Sequence, residues 1–426
     1  MIENFIENKK AIIVGVKTEK TGYNFDKRME ELENLCKALS IECMGRVVQN
    51  LYQTESATYI GSGKLLEIKE LVYEQSADTV IFLNTLNPSQ LANITDILEA
   101  EVMDKTQLIL QIFSERARTA EAKLQVEYAG LDYMLPRLVG MRKNLSRQGG
   151  TGGSMSNKGS GEKQIELDRR HIEKRMADLR KELKAIEATR DTMRKKRMQS
   201  GIPLVSLAGY TNAGKSTLMN TLLSAYGSEE EKMVFEKDML FATLDTTIRK
   251  ICPGDNKNYL LADTVGFIED LPHDLISAFR STLGEIKLSD LILNVIDYSD
   301  DNYQEHIRVT EDTLRELKAS HIPVIHVLNK ADKVMSELEL PVIRGNKIYI
   351  SAKKRIGIDE LNELIRNEIY GSYKTVEFVI PYSKGNIENT LRERASIIDT
   401  EYRESGTYIK CSMSPVLYEK FKEYEI

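Results

Sequence analysis

The sequence predicts an α/β protein of several domains, and three observations support this. Strand-like apolar runs alternate with helical segments over 1–115 and again over 201–372, a glycine-rich phosphate-loop pattern follows the first strand of the second region, and a heptad-like stripe lies between the regions. Such alternation favours a doubly wound sheet. We expect an N-terminal α/β domain at 1–115, an antiparallel helical hairpin at 116–200, an α/β domain at 201–372 and a small α+β domain at 373–426.

The bulk composition excludes several classes of protein. The 426 residues are 41% hydrophobic and 29% charged, as in an ordinary globular chain. The four cysteines lack metal-ligand spacing, and no apolar run is long enough for a secretory signal or a membrane span. We therefore expect a cytoplasmic monomer without an integral membrane segment. The net charge of −6 does not by itself favour binding to nucleic acid.

The first region alternates strands and helices. We predict strands at 11–16, 76–84 and 106–113 and helices at 26–39 and 87–98.

A stretch in this region, GSGK at 61–64, has some likeness to a phosphate loop. It lacks the earlier glycine, since Thr58 stands there, so we interpret it as a turn that opens a helix. Whether this domain holds a second nucleotide, such as ATP, stays open.

Two helical segments flank a glycine-rich loop. Residues 116–135 carry an apolar stripe that ends before Pro136. The second segment, 163–198, repeats an apolar residue every seven positions, at Ile165, Ile172, Leu179, Ile186 and Met193. This spacing is typical of coiled-coil packing, so we expect an antiparallel hairpin with the loop 137–162 at its exposed tip. By composition alone, a linker between two domains is the favoured interpretation of this loop, and the flanking heptad helices argue against it.

The stretch GYTNAGKST matches the phosphate-loop pattern G-x-x-x-x-G-K-[ST], with a strand before it and a helix after it. Backbone N–H groups and the helix N-terminus favour phosphates here. Lys215 would reach the β and γ oxygens, and Ser216 would supply a hydroxyl to Mg²⁺. The predicted nucleotide contacts are Gly209, Tyr210, Thr211, Asn212, Ala213, Gly214, Lys215, Ser216 and Thr217.

Two further segments complete the predicted phosphate site. Asp263, Thr264, Val265 and Gly266 form a D-x-x-G motif after a strand, in which the Asp263 carboxylate holds Mg²⁺ through water and the Gly266 N–H contacts the γ-phosphate. The stretch between the motifs is the expected first switch. Within it, we predict that Thr243 coordinates Mg²⁺ when the triphosphate is bound, and Thr246 and Thr247 are the alternatives. The residues predicted to contact nucleotide in that switch are Phe241, Ala242, Thr243, Leu244 and Asp245.

The base-binding motif predicts guanine. The motif N-K-x-D consists of Asn329, Lys330, Ala331 and Asp332 at a strand end. The Asp332 carboxylate only accepts hydrogen bonds, so it matches the N1–H and N2–H₂ donors of guanine, which adenine lacks. The following ISAKK stretch supplies a backbone contact to the guanine O6 from Ser351, Ala352 and Lys353. The motifs together predict a Mg²⁺-dependent GTPase that binds GTP and GDP.

The usual hydrolytic group is missing. Many GTPases place a glutamine after D-x-x-G to orient the attacking water, but Phe267 stands here. We therefore expect slow intrinsic hydrolysis and help from elsewhere. The alternatives are a polar residue of the second switch (Glu269, Asp270 or His273), a monovalent cation such as K⁺ beside Asn212, or a partner macromolecule.

Several stretches of the sequence indicate a particular family of GTPases. GYTNAGKST, LFATLDTT, DTVGFIEDLP, RARTAEAKLQVEYAGLDYMLPRL and GEKQIELDRR together resemble the HflX family of ribosome-associated GTPases. The resemblance runs from about residue 10 to the end of the chain and includes YIGSGKLLEI. One departure is Asp245-Thr246-Thr247, where the family usually reads Asp-Pro-Thr.

The resemblance implies binding to the 50S subunit and the 70S ribosome, and splitting of stalled ribosomes into subunits under stress. It also implies that the helical hairpin reaches toward the peptidyl-transferase centre. The basic residues of the loop would then meet ribosomal RNA phosphates: Arg137, Arg142, Lys143, Arg147, Lys158 and Lys163. Two alternatives remain, a GTPase for ribosome assembly or RNA modification on precursor particles, and a GTP-gated RNA-binding module without catalysis.

Overall fold

The computed structural model describes residues 9–18, 25–138, 157–200, 202–227, 247–254, 257–264, 266 and 284–426. The chain forms two compact units, and along the described helix that joins them the first ends at Ala188 and the second begins at Thr189. Within the described ranges, no helix combines the length and the apolar character that a membrane crossing needs.

The first unit contains a four-stranded parallel sheet in the order β2-β1-β3-β4. Its elements are β1 (Lys10–Lys17), α1 (Phe25–Ala38), β2 (Glu42–Asn50), α2 (Ser62–Gln75), β3 (Thr79–Phe82), α3 (Pro88–Leu98) and β4 (Glu101–Asp104). The central strands β1 and β3 are buried and consist mostly of β-branched residues, as expected of a parallel sheet covered on both faces.

The start of α3 confirms the predicted capped helix. The Asn87 side chain accepts from the Gln90 N–H at 2.8 Å, and the Gln90 side chain accepts from the Asn87 N–H at 3.1 Å. Pro88 occupies the first turn, where its missing N–H carries no cost.

The strand predicted at 106–113 is wrong, because those residues belong to helix α4 (Lys105–Arg116). The Asp104 carboxylate ends β4 and caps this helix by accepting the Gln107 N–H at 3.0 Å. The helix buries apolar residues on most of its circumference, so its sequence shows no amphipathic period. A short apolar run of this kind does not distinguish a buried strand from a buried helix.

Two longer helices follow, α5 (Ala120–Met134) and α6 (Asn157–Ser200). They contact each other through charged groups, since the Arg175 guanidinium binds both oxygens of Glu127 at 2.7 and 2.8 Å. Of the five heptad residues, Leu179 is buried, Ile165, Ile172 and Ile186 are half-buried, and Met193 is 66% exposed. The predicted heptad packing therefore fails at Met193. The tip of the predicted hairpin, 139–156, lies outside the described residues.

The second unit contains a seven-stranded sheet in the order β10-β11-β9-β8-β5-β7-β6, antiparallel at both edges and parallel between them. Its elements are β5 (Leu204–Ala208), α7 (Lys215–Tyr226), β6 (Thr247–Ile251), β7 (Tyr259–Asp263), β8 (Leu291–Asp297), α8 (Tyr303–Glu316), β9 (Val324–Asn329), β10 (Val342–Arg344), β11 (Lys347–Tyr349) and α9 (Ile358–Tyr370). Strands β5, β8 and β9 lie at its centre, so their carboxyl ends place the predicted motifs at one edge.

The chain ends in a three-stranded antiparallel sheet of order β12-β14-β13. Its elements are β12 (Lys374–Ile380), α10 (Gly385–Arg394), β13 (Ser396–Arg403), β14 (Gly406–Met413) and α11 (Pro415–Phe421). Helix α10 ends at Arg394, and strand β13, which the sequence analysis did not predict, begins at Ser396. No glycine or proline marks the change from helix to strand, and the strand forms because it pairs with β14.

Candidate functional site

The phosphate loop connects β5 to α7, and two of its glycines are required by space. Gly209 has φ +134°, and a Cβ there would lie 2.1 Å from the Val295 carbonyl oxygen. Gly214 has φ +93°, and a Cβ there would lie 2.3 Å from the Asn329 side-chain nitrogen. Any larger residue would therefore push the loop away from β8 or from the base-binding motif.

Lys215 begins α7 and is buried inside the loop. Its Nζ donates to the carbonyls of Gly209 at 3.1 Å and Tyr210 at 2.9 Å. Burial lowers the pKa of Lys215 to about 8, and the nearby charge of Asp263 only partly opposes this. A desolvated ammonium surrounded by neutral carbonyls gains strongly from an anion, as a phosphate would supply.

Ser216 and Asp263 meet beside the loop, as the Ser216 hydroxyl donates to the Asp263 carboxylate at 2.9 Å. Asp263 is fully buried, and the Thr264 hydroxyl fixes the end of its strand by donating to the Leu207 carbonyl at 2.6 Å.

The two side chains supply hard oxygen ligands of the kind that Mg²⁺ prefers. The Ser216 hydroxyl would hold the ion directly and the Asp263 carboxylate would hold it through water. Nowhere in the described ranges do three acidic, histidine or cysteine side chains gather as a metal site, so water and phosphate oxygens would complete the coordination here.

Gly266 lies directly against this loop. A Cβ on Gly266 would lie 2.8 Å from Lys215 Nζ and 3.0 Å from the Thr211 Cα. The backbone of Gly266 therefore stands next to the ammonium that would hold the terminal phosphate, and only glycine leaves room there.

Asn329 joins the two loops of the site. Its amide nitrogen donates to the Ala213 carbonyl at 2.9 Å, and its amide oxygen accepts the Ala352 N–H at 2.9 Å. Lys330 makes a parallel connection, donating to the Asn212 carbonyl and to the Asp297 carboxylate, both at 2.8 Å. The predicted base-binding motif thus also fixes the position of the phosphate loop.

Asp332 is the group that would read the base, and it is ionised. Partial burial acts to raise the pKa of its carboxyl, but hydrogen bonds from Ser351 and Lys354 outweigh burial and hold that pKa below its usual value. The Lys354 Nζ lies 3.1 Å from Asp332. The carboxylate therefore only accepts hydrogen bonds, as recognition of guanine requires.

Sequence reasoning missed three contributors to this site. It did not name Lys354, whose ammonium lies beside the Asp332 carboxylate, and it named Lys353 only for a backbone contact to guanine, which stays a prediction. It did not name Asp297, whose place at the end of β8 was a usable signal. It also missed His306 of α8, whose ring stacks on Tyr210 of the phosphate loop with centroids 4.0 Å apart.

Many of the predicted site residues lie outside the described ranges. These are Phe241, Ala242, Thr243, Leu244, Asp245, Val265, Phe267, Glu269, Asp270 and His273 near the nucleotide, and Arg142, Lys143 and Arg147 of the glycine-rich loop. Lys158 and Lys163 belong to the first turns of α6, in a part whose side chains are not described.

Arg137, by contrast, has a structural role that its predicted RNA contact did not anticipate. Its guanidinium donates to the carbonyls of Tyr133 at 2.8 Å and Leu86 at 2.9 Å, and it lies 3.8 Å from the buried Asp104. Only 11% of its side chain is exposed, so the guanidinium is turned into the first unit and away from a phosphate backbone.

The GSGK stretch opens α2, as predicted. The Gly61 N–H donates to the Gln49 side chain at 3.0 Å, and Lys64 pairs with Glu67. A cavity of about 750 Å³ in this unit lies elsewhere, between α3, α4 and α5, and residues 61–64 do not line it.

Comparisons with known families match most of the chain. Residues 26–114 match the family model "GTP-binding GTPase N-terminal", 116–197 match "GTP-binding GTPase Middle Region", and 204–330 match "50S ribosome-binding GTPase".

The matched proteins span nearly the whole chain. GTPase HflX of Caldanaerobacter subterraneus subsp. tengcongensis is 40% identical over 420 residues, which is 99% of this chain and 94% of that protein. GTPase HflX of Escherichia coli K12 is 35% identical over 415 residues, or 96% and 94% of the two chains. A GTP-binding protein from Sulfolobus solfataricus, crystallised with GDP, is 27% identical with a TM-score of 0.42 and covers 85% of this chain and 98% of its own. The chain is a GTP hydrolase that belongs to the HflX family of GTPases.

Proposed function

We propose that this GTPase binds the large ribosomal subunit and the 70S ribosome in the cytoplasm and splits stalled ribosomes into subunits under stress. The observation that carries the proposal is the match of residues 204–330 to a 50S ribosome-binding GTPase model, on a domain whose Lys215, Gly266 and Asp332 are arranged for GTP. In this proposal, GTP is the state that engages the ribosome, and hydrolysis to GDP permits release.

We propose that four domains along the chain have separate roles. The domains are 1–115, the hairpin 116–200 with its basic loop 137–162, the GTPase domain 201–372 and the small domain 373–426. Arg142, Lys143 and Arg147 of the loop, together with Lys158 and Lys163 in the first turns of α6, contact ribosomal RNA. We leave Arg137 out of this set, because its guanidinium is occupied inside the first unit.

Mg²⁺ is the metal we propose at Ser216 and Asp263, with Thr243 joining when GTP is bound. It would neutralise charge between the β- and γ-phosphates. K⁺ beside Asn212 remains a second proposal. Asn212 has φ +60°, is exposed, and its carbonyl is bound by Lys330. Replacing K⁺ by Na⁺ at constant Mg²⁺ in a turnover assay tests the K⁺ proposal. A K⁺ site predicts a lower rate of GTP hydrolysis in Na⁺, whereas a site with Mg²⁺ alone predicts an unchanged rate.

Phe267 supports dependence on a partner, because its side chain can neither donate nor accept a hydrogen bond to water. A hydrolysis assay tests this. GTP turnover is measured alone, with 50S subunits, with 30S subunits and with 70S ribosomes, at fixed salt. We expect stimulation of at least tenfold by 50S and 70S particles, a modest part of the 10³–10⁵ that a supplied group gives in other GTPases, and no stimulation by 30S.

The same assay separates the alternatives. Stimulation by immature precursor particles but not by 70S ribosomes would favour an assembly or RNA-modification GTPase. Negligible turnover under every condition, with GTP-dependent binding to RNA retained, would favour a non-catalytic RNA-binding module. Either result would overturn the splitting proposal.

A further inference from the structure

The last turns of α6 are held within the second unit by an ion pair between Arg194 and Glu285. Arg194 Nε lies 3.0 Å from Glu285 Oε1, and the two side chains are only 15% and 5% exposed. Asp191, three residues earlier on the same helix, accepts from Arg194 Nη1 at 2.9 Å and orients the guanidinium. The pair is therefore fixed in geometry and shielded from solvent, unlike the exposed pairs elsewhere on α6.

Glu285 occupies an informative place in the sequence. It is the second described residue after the segment 267–283, which directly follows the D-x-x-G motif ending at Gly266. In GTPases the segment after this motif responds to the γ-phosphate. Glu285 therefore lies along the chain between that segment and strand β8.

Glu285 is also connected to the strand that carries the phosphate loop. Its carbonyl accepts the Ser289 hydroxyl at 3.3 Å, and Ser289 Oγ lies 2.5 Å from Ser206 Oγ of β5. One residue further, the Asp290 carboxylate accepts the Leu204 N–H at 2.8 Å. These contacts connect residues 285–290 to strand β5. Ser206, the contact residue in the middle of β5, lies three residues before the phosphate loop begins at Gly209.

The burial of the pair makes it a stiff connection. Leaving either charge buried without its partner is costly, so a displacement of Glu285 is favourable only if Arg194 moves with it. Hydrogen bonds in such shielded surroundings are also stronger than those at the surface.

We infer that the Arg194–Glu285 pair is the coupling element between the nucleotide site and helix α6, with Glu285 acting on the phosphate-loop strand through Ser289 and Ser206. Arg194 and Glu285 are positioning residues, since neither touches the nucleotide. Coupling between two sites is reciprocal. GTP binding therefore changes the stability of the last turns of α6, and a partner that binds and stabilises α6 changes the preference of the protein for GTP over GDP. Only the ribosomal part of the test below rests on the proposed function.

The test uses the full chain with Arg194→Met, Glu285→Gln and the reversed pair Arg194→Glu with Glu285→Arg. Arg175→Met is the matched control, since Arg175 lies on the same helix and forms an exposed pair with Glu127. Two quantities are measured: the ratio of the dissociation constants for GDP and for a non-hydrolysable GTP analogue, and amide hydrogen exchange over 189–194 in each nucleotide state.

We expect the original chain and Arg175→Met to show exchange at 189–194 that depends on the nucleotide. Arg194→Met and Glu285→Gln should lose this dependence and change the ratio by about fivefold, the lower end of typical coupling. The reversed pair should partly restore the nucleotide dependence of exchange and the original ratio of dissociation constants. A purely structural pair would lower the melting temperature but leave the ratio and the state dependence unchanged, and that result would overturn the inference.

A further variant and a parallel measurement of stimulation by 50S subunits complete the test. If Arg194→Met does not fold, Arg194→Lys keeps the charge but loses the fork geometry, and it should show a partial loss. Stimulation by 50S subunits is measured in parallel, and Arg194→Met should bind the subunit yet lose most of the stimulation. If the original chain is not stimulated, the proposed function fails, while the exchange data still decide the role of the pair.

Discussion

Asn329 donates from its side-chain amide to the Ala213 carbonyl at 2.9 Å, so the base-binding motif directly holds the phosphate loop. The other end of the same amide accepts the Ala352 N–H at 2.9 Å. One buried side chain therefore fixes the relative position of the two loops that bind opposite ends of the nucleotide. Base recognition and phosphate binding are consequently expected to fail together when it is removed.

Asn329→Ala should weaken GDP binding by about 30- to 1,000-fold. The estimate follows from two buried backbone groups left unsatisfied, at about 1–3 kcal/mol each, with partial compensation by water. Titration with a fluorescent GDP measures it. Asn346→Ala is the control, since the Asn346 amide donates to a backbone carbonyl at an exposed position. Unchanged affinity in Asn329→Ala would show that the loops hold their positions without this bridge.

Asp332→Asn should exchange base specificity. The carboxamide offers a donor where the carboxylate only accepts, so it opposes the guanine N2–H₂ group and suits the additional carbonyl of xanthine. We expect GTP affinity to fall at least about 100-fold and XTP affinity to rise. Competition of GTP, XTP and ATP against a fluorescent nucleotide is the measurement. Equal loss of all three nucleotides would mean that the variant damages the loop instead of the base contact.

Lys215 predicts proton uptake on nucleotide binding at alkaline pH. Burial lowers its pKa to about 8 without nucleotide, so part of the population is neutral above that pH. Phosphate stabilises the ammonium and returns the pKa toward its ordinary value of 10.5, so binding takes up a proton between these values. GDP affinity should accordingly decline as pH rises above about 8.

Calorimetry of GDP binding in two buffers of different ionisation enthalpy measures this uptake. At pH 9 we expect more than half a proton per nucleotide, as follows from a pKa of about 8. A titration at pH 6.5 is the internal control for Lys215, since the ammonium is already protonated there. Equal uptake at both values would contradict the shifted pKa.

Arg137→Met should destabilise the first unit. The change removes donors from the Leu86 and Tyr133 carbonyls and leaves Asp104 buried beside an apolar side chain. We expect a loss of about 2–4 kcal/mol in the free energy of unfolding. Urea unfolding measures it, with Lys69→Met as control because the Lys69–Glu99 pair is exposed. A stability equal to that of the original chain, with weaker ribosome binding, would restore Arg137 to the predicted RNA-binding set.

The geometry of the phosphate loop was predictable because its constraints are local. Gly209 and Gly214 are required by backbone conformation, and Lys215 and Ser216 begin a helix, so a short motif specifies all four. Lys354 was not predictable in this way. It reaches Asp332 across a separate loop, and nothing in ISAKK distinguishes it from Lys353.

The errors in the fold have similar physical causes. The helix over 105–116 is buried on most faces, which removes the period by which a helix is recognised. In α6 the heptad residues up to Ile186 are at least half-buried but Met193 is exposed, because an apolar repeat does not show where along a helix the packing ends. Strand β13 depends on pairing with β14, a tertiary effect that the sequence pattern does not carry.

We propose that GTP binding by this protein separates the ribosomal subunits. The most direct measurement follows light scattering of 70S ribosomes after addition of the protein with GTP, with a non-hydrolysable GTP analogue or with GDP, and then resolves the products on a sucrose gradient. We expect loss of the 70S peak with GTP and with the analogue, and an intact peak with GDP and with the Lys215→Ala variant, which lacks the buried ammonium proposed to hold the phosphates. An intact 70S peak in the presence of GTP and excess protein would contradict the account.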